Sequence, residues 1–206
     1  MSSLQAGNNP HRYAVTTMKN SVMRMIFALV VLAVGLSFAS ATETRDFILK
    51  DLEGIARHPF EPADKIASVL IFFWQDCPIS NGYAPEINRI AATRTNFVFY
   101  VVQVDPELSV AAAREHARKF DLRVPVLLDP QHRLVRFAKA TVTPEVIVFR
   151  KSGDVLYRGR IDNLYVALGK KRRVVTEHDL LDALDAIAVG KPVKQTETKA
   201  VGCLIQ

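Results

Sequence analysis

Apolar positions along this chain change their period several times, and each change marks an element. Residues 68–74 (SVLIFFW) are an almost unbroken apolar run of strand length, which predicts a strand buried on both faces. The run stops short of Cys77, and Pro78 directly after it suits the first position of a helix. That helix is predicted to reach about residue 92, with Tyr83, Ile87 and Ile90 at i, i+4 and i+7 as its inner face. Residues 96–104 read as a second strand, apolar from Phe97 onward apart from Gln103 and therefore central in a sheet. A helix over 109–120 capped by Ser109, a short strand over 124–128 and a short helix over 131–138 follow. Strands are predicted over 145–149 and 155–159, and a last helix over 176–189 carries the stripe Leu180, Leu181, Leu184 and Ile187. Thr176 with Asp179 three residues on imitates a capping box for it. Before all of these, residues 47–54 read as a short strand and turn.

Both ends depart from this pattern. Residues 1–41 hold Arg12, Lys19 and Arg24, no acidic residue, an apolar stretch from Met25 to Leu36, and then Ala39-Ser40-Ala41. That is the layout of a secretory signal peptide cut after Ala41, with an uncleaved membrane anchor as the alternative. Translation from Met18 or Met23 would preserve everything a signal needs. The globular domain is then residues 42–190. Beyond Gly190 the apolar period ends, and residues 191–199 are polar with one proline. The tail, residues 191–206, thus reads as a flexible spacer ending in an apolar hook, Val201-Gly202-Cys203-Leu204-Ile205.

The 206 residues, 49% of them hydrophobic, suit one domain plus these extensions. Loss of the leader removes three cations, so the formal charge falls from +6 to +3, which is no nucleic-acid footprint. The dense basic run Lys170-Lys171-Arg172-Arg173 reads as a solvated loop before the last helix. His11, His58, His116, His132 and His178 fall in no metal-ligand spacing, so no metal or other cofactor is expected. Export would place the two cysteines in an oxidising compartment, where an even count points to a disulfide.

Cys77 carries the candidate chemistry. At a helix N-terminus the unpaired amide N–H groups and the positive end of the dipole favour thiolate over thiol, which makes a cysteine nucleophilic near neutral pH. Ser80, one turn on, can donate a hydrogen bond to that sulfur but cannot resolve a sulfur intermediate. Asp76 opposes the thiolate unless its carboxylate points to water. Trp74 lies just before the site, either packing beside it or simply ending the strand.

The stretch from Leu70 to Pro85, LIFFWQDCPISNGYAP, resembles the active site of the thioredoxin-like superfamily. There an apolar strand ends in an aromatic residue, C-x-x-C opens a helix, and a kinking proline stands eight residues after the first cysteine, as Pro85 does here. Val142-Thr143-Pro144-Glu145 resembles the superfamily's cis-proline segment, and Lys151-Ser152-Gly153-Asp154 the hairpin turn after it. The resemblance covers residues 46–189. It implies an α/β three-layer sandwich around a central mixed sheet, with an insertion before the cis-proline segment like that of the redoxin, TlpA-like and peroxiredoxin (AhpC/TSA-like) branches. It further implies that Thr143 and Pro144 face the active-site cysteine and pair with the backbone of a bound partner. One departure is decisive for mechanism: the second cysteine of C-x-x-C is replaced by Ser80, since the motif reads Cys77-Pro78-Ile79-Ser80.

These readings lead to an exported thiol-disulfide oxidoreductase with Cys77 as attacking thiol and tail-borne Cys203 as resolving thiol. Its partners would be protein or small-molecule disulfides and thiols, with no nucleic acid and a membrane only through an uncleaved leader. A thiol peroxidase is the alternative enzyme, although Leu70 and Trp74 stand where the peroxiredoxin signature has Pro and Thr or Ser. A redox-inert partner-binding module or a two-thiolate copper site is the alternative outside enzymology.

Overall fold

Strand β3, Ala67–Phe73, is buried at every position, and the molecule is organised around it. The computed structural model describes residues 47–206; the proposed leader and its cut site lie outside the described residues. In a five-stranded mixed sheet ordered β5-β4-β3-β7-β8, β3 is central. It runs parallel to β4 (Val98–Gln103), which is parallel to β5 (Val126–Leu128). On its other side it pairs antiparallel with β7 (Glu145–Arg150), and β7 with β8 (Val155–Gly159).

The two-residue period of the strands sorts their side chains onto two faces. Val69, Ile71 and Phe73 of β3 join Phe99, Val101, Val146 and Val148 beneath helices α1 (Pro78–Thr93), α2 (Val110–Lys119) and α4 (Asp179–Ala188). Leu70 and Phe72 join Tyr100, Val102, Ile147 and Phe149 against α3 (Arg133–Ala138) and the ring of Phe60. This is a sandwich of helices, sheet and helix, and α2, β5 and α3 form the insertion expected before the cis-proline segment.

Local chemistry sets most boundaries where the pattern puts them. Ser109 Oγ accepts from Ala112 N at 3.2 Å and caps α2. At the first strand pair, β1 (Leu49–Lys50) with β2 (Ala56–Arg57), Asp51 accepts from Glu53 N and Ile55 N and is held by Arg57. The Arg57 guanidinium and the backbone N–H groups outweigh burial and keep its carboxyl below the usual range. Gly153, at φ +89°, makes the turn between β7 and β8.

Three expectations are corrected. The capping box on the last helix does not form: Thr176 pairs with Asn163 through both its amide and its hydroxyl, and Asp179 binds Arg160. The helix therefore starts at Asp179, behind His178. The basic run is not a plain loop; Lys170–Lys171 is β10, paired with β9 (Tyr165–Ala167) in an exposed hairpin. Finally, residues 191–206 are non-helical but are not a free spacer. Thr198 N donates to Arg158 O at 3.0 Å and Arg158 N to Thr196 O at 2.9 Å, so the tail adds a parallel bridge to the exposed edge of β8. The buried Thr198 hydroxyl accepts from Arg160 N at 3.0 Å and pairs with Tyr157 OH at 2.7 Å.

The edge has room for this only because residue 159 is glycine. A Cβ there would lie 2.1 Å from Thr198 Oγ1 and 2.3 Å from its carbonyl oxygen, and φ is +141°. Gly159→Ala is expected to cost about 1–3 kcal/mol through strain and lost tail bonds. Urea unfolding should show the loss, and hydrogen exchange should show it concentrated at the Thr198 amide.

Candidate active site

Cys77 occupies the N-cap of α1, with extended backbone at φ −84° and ψ 112°, because Pro78 begins the helix and supplies no N–H there. Its amide donates to Trp74 O at 3.0 Å, and its carbonyl accepts from Asn81 N at 3.0 Å. The loop before it is fastened from α1: Asn81 Nδ2 donates to Gln75 O at 2.8 Å. Behind Asn81 stands His116, buried between helix and sheet. Gln103 Nε2 can only donate and Asn81 Oδ1 can only accept, so the ring takes a proton on Nε2 for Asn81 (2.8 Å) and accepts on Nδ1 from Gln103 (3.3 Å). Burial, aided by the Lys119 charge, pushes His116 below the usual imidazole value against Asp76 and the Gln75 backbone, which agrees with this neutral tautomer.

The thiol itself is fully buried. Its Sγ donates to Thr143 O at 3.2 Å, and the Thr143–Pro144 peptide bond is cis, as expected for this segment. Opposite Val142–Thr143 (β6) lies the tail: Cys203–Leu204 (β11) pairs with it antiparallel, Cys203 against Thr143 and Leu204 against Val142. Ile205 N donates to Thr141 O at 3.0 Å and Thr143 Oγ1 to Cys203 O at 3.4 Å. Both cysteines are free thiols, and they lie close enough for each to shift the acidity of the other.

The two sulfurs are driven apart in acidity. Burial raises Cys77, but the Cys203 thiol, the Ser80 amide, the Ser80 hydroxyl and the Cys203 amide together hold it below the ordinary thiol value. Cys203 is pushed up to about 12, by burial first and then by its hydrogen bond to Cys77 and the charge there. Ser80 Oγ is buried with no partner while Cys77 is a thiol, because the S–H turns to Thr143; ionisation of the sulfur gives that hydroxyl an acceptor.

The remaining predicted residues fall around this pair. Trp74 is half-buried and packs against both halves of the core, so it ends the strand and flanks the site at once. Asp76 and Pro78 are exposed; the Asp76 charge acts on His116 and is not among the groups that shift Cys77. Pro144 is buried beneath the tail's crossing.

Three residues of the site were not foreseen. Tyr165 reaches over α1, where a Cβ at Gly82 would lie 2.4 Å from its hydroxyl, and burial, then the charges of Asp162 and Cys77, make that phenol less acidic than usual. His116, read as unremarkable, is the clamp behind Asn81. Gly202 lies directly on the cis-proline segment, and a glycine beside the only tail cysteine was the available signal for it.

With the geometry in hand, the molecule can be set beside known proteins. No family model matches the chain, and no curated protein does. Solved structures do. An uncharacterized conserved protein from Geobacillus kaustophilus superposes with a TM-score of 0.67 at 22% identity, covering 83% of this chain and 93% of its own. A hypothetical protein from Sinorhizobium meliloti 1021 gives 0.64 at 24%, covering 82% and 94%. A secreted Mycobacterium tuberculosis disulfide oxidoreductase homologous to E. coli DsbE gives 0.52 at 20%, covering 72% and 99%. The chain has the thioredoxin-like fold. Within that fold, Cys77 caps the helix that follows the central strand, and Ser80 stands three residues on, where the C-x-x-C pattern has its second cysteine.

Ser80→Ala removes a donor that serves the thiolate alone. The Cys77 alkylation midpoint is expected to rise, so iodoacetamide labelling at neutral pH should slow. pH-dependent labelling of Ser80→Ala and its parent, both carrying Cys203→Ser, measures the shift; an unchanged midpoint would assign the lowering to the backbone donors.

Proposed function

We propose that the protein is a thiol-disulfide oxidoreductase acting outside the cytoplasm, with Cys77 as nucleophile and Cys203 as resolving thiol. The observation that carries this reading is the register of the tail, which sets Cys203 opposite Thr143, the residue whose carbonyl accepts from the Cys77 thiol. Likeness of fold to a secreted disulfide oxidoreductase and the signal-like residues 1–41 support it.

In the proposed cycle the Cys77 thiolate attacks one sulfur of a substrate disulfide. A bond from Cys77 to that sulfur forms, the substrate S–S bond breaks, and the leaving thiolate departs with the electron pair and takes a proton from water. Cys203 then loses its proton and attacks the Cys77 sulfur, releasing the second substrate thiol and leaving a Cys77–Cys203 disulfide. The substrate has gained two electrons, and an external dithiol restores the enzyme. The acidities favour this order. Burial does most to hold Cys203 protonated, and the hydrogen bond and charge of Cys77 add to it; those two are relieved once Cys77 is in the mixed disulfide. The bridge would close a loop of more than 120 residues, worth roughly 5 kcal/mol in the chain-entropy model.

Oxidation of the dilute reduced protein is expected to give an intramolecular Cys77–Cys203 disulfide. Cys203→Ser is expected to stall as a mixed disulfide on Cys77. Non-reducing peptide mapping checks both. Free thiols alone, or only intermolecular dimers, would remove Cys203 from the mechanism.

A further inference from the structure

The exchange chemistry proposed above leaves open which disulfides the site accepts, and the tail supplies a template. Cys77 is completely buried beneath it, and the Thr143 backbone is already paired. An incoming partner must therefore displace the tail, and only a partner that is itself an extended strand can restore the hydrogen bonds left open on Val142 and Thr143. Thr198 is pinned by Tyr157, Arg158 and Arg160, so the segment free to lift is residues 199–206.

Each tail position shows what the groove demands of its occupant. At Gly202 a Cβ would lie 1.9 Å from Thr143 O, 2.5 Å from Thr143 C and 3.1 Å from Pro144 N. Those atoms are all backbone and have no rotamer by which to withdraw. Gly202 has no left-handed φ, so the demand is for space and excludes every side chain. The next residue, Cys203, lies opposite Thr143, whose carbonyl accepts from the Cys77 thiol. Leu204, 71% exposed, touches little, so that position is tolerant. Ile205 turns back against the second core cluster, so that position favours an apolar side chain. Val201 packs on the first.

From this we infer that the partner Cys77 takes in trans is an extended protein segment in which glycine immediately precedes the reactive cysteine and an apolar residue stands two places after it. The chain's own tail is the cis occupant with which that segment competes.

The full-length double variant Gly202→Ala, Cys203→Ser expels the tail from the groove and removes the resolving thiol. It is mixed with the peptide Val-Gly-Cys-Leu-Ile, amidated and acetylated, whose cysteine carries thionitrobenzoate in a mixed disulfide. Cys77 attacks the peptide sulfur, the S–S bond breaks, and thionitrobenzoate leaves with the electron pair and is read by its absorbance. Mass spectrometry reads the peptide retained on Cys77. Capture is expected to be at least about tenfold faster than that of Val-Ala-Cys-Leu-Ile or Val-Gly-Cys-Leu-Glu, while Val-Gly-Cys-Glu-Ile should match the parent peptide within about twofold. Cys203→Ser alone, which keeps Gly202, should show the same ranking at a lower overall rate because its tail competes. Equal capture of the glycine and alanine peptides by both variants, with Cys77 still reacting with Ellman's reagent, would overturn the inference and leave the exchange chemistry standing. A Cys77 inert toward Ellman's reagent and every peptide would overturn both.

Discussion

The close crossing of Gly202 over the Thr143–Pro144 backbone is the contact on which the arrangement of the site depends. Two main chains approach there to a distance that leaves no volume for even a methyl group. Antiparallel pairing of Cys203–Leu204 with Val142–Thr143 follows from that approach, and pairing in this register brings Cys203 to the residue on which the Cys77 thiol rests. One residue of slip would turn the thiol to the opposite face and put Leu204 over the nucleophile. Two anchors prevent it, Thr198 on the edge of β8 upstream and Ile205 on the α3 face downstream.

That geometry explains how a site with one motif cysteine can still contain two thiols of opposite character. In a C-x-x-C helix the second thiol sits one turn into the helix, whereas here Ser80 occupies that place and serves as a donor to the first. The tail brings the second cysteine from the other side, against the cis-proline segment, where burial and the neighbouring Cys77 act on its thiol. Cys77 is thus held more acidic than usual and Cys203 less so, the order that the proposed roles of nucleophile and resolving thiol require.

The fold was largely legible from hydrophobic period alone. The runs at 68–74 and 96–104 could only be doubly buried strands, and the stripe through Tyr83, Ile87 and Ile90 could only face them. Cys77, Pro78 and Pro144 were legible because proline and a helix start constrain the backbone locally. The tail was not, and the reason is physical. Its pairing is with edges, β8 and the cis-proline segment, through backbone groups that every residue carries, so no apolar period was needed to hold it. Thr198 binds through a hydroxyl that looks, in sequence, like any solvated threonine, and Gly202 matters through the atoms it lacks. The capping box at Thr176 failed for a related cause: Asn163, thirteen residues away, offered that threonine two hydrogen bonds at once, which no reading of the local tetrad could anticipate.

His116 illustrates how the rest of the molecule serves the nucleophile without touching it. A buried neutral imidazole bridging Gln103 on β4 to Asn81 on α1 fixes the first turn of that helix, and Asn81 in turn fixes the carbonyl of Gln75 just ahead of Cys77. The Ser80 amide that steadies the thiolate belongs to the same turn. Protonating the imidazole would place a second donor against the Gln103 amide, which already offers only N–H in that direction, so the clamp works in one charge state. The position of the sulfur is thus secured from the sheet side by a proton arrangement and from the solvent side by a strand. In the proposed exchange it is the strand that lifts to admit a partner, while the proton arrangement behind the helix stays in place.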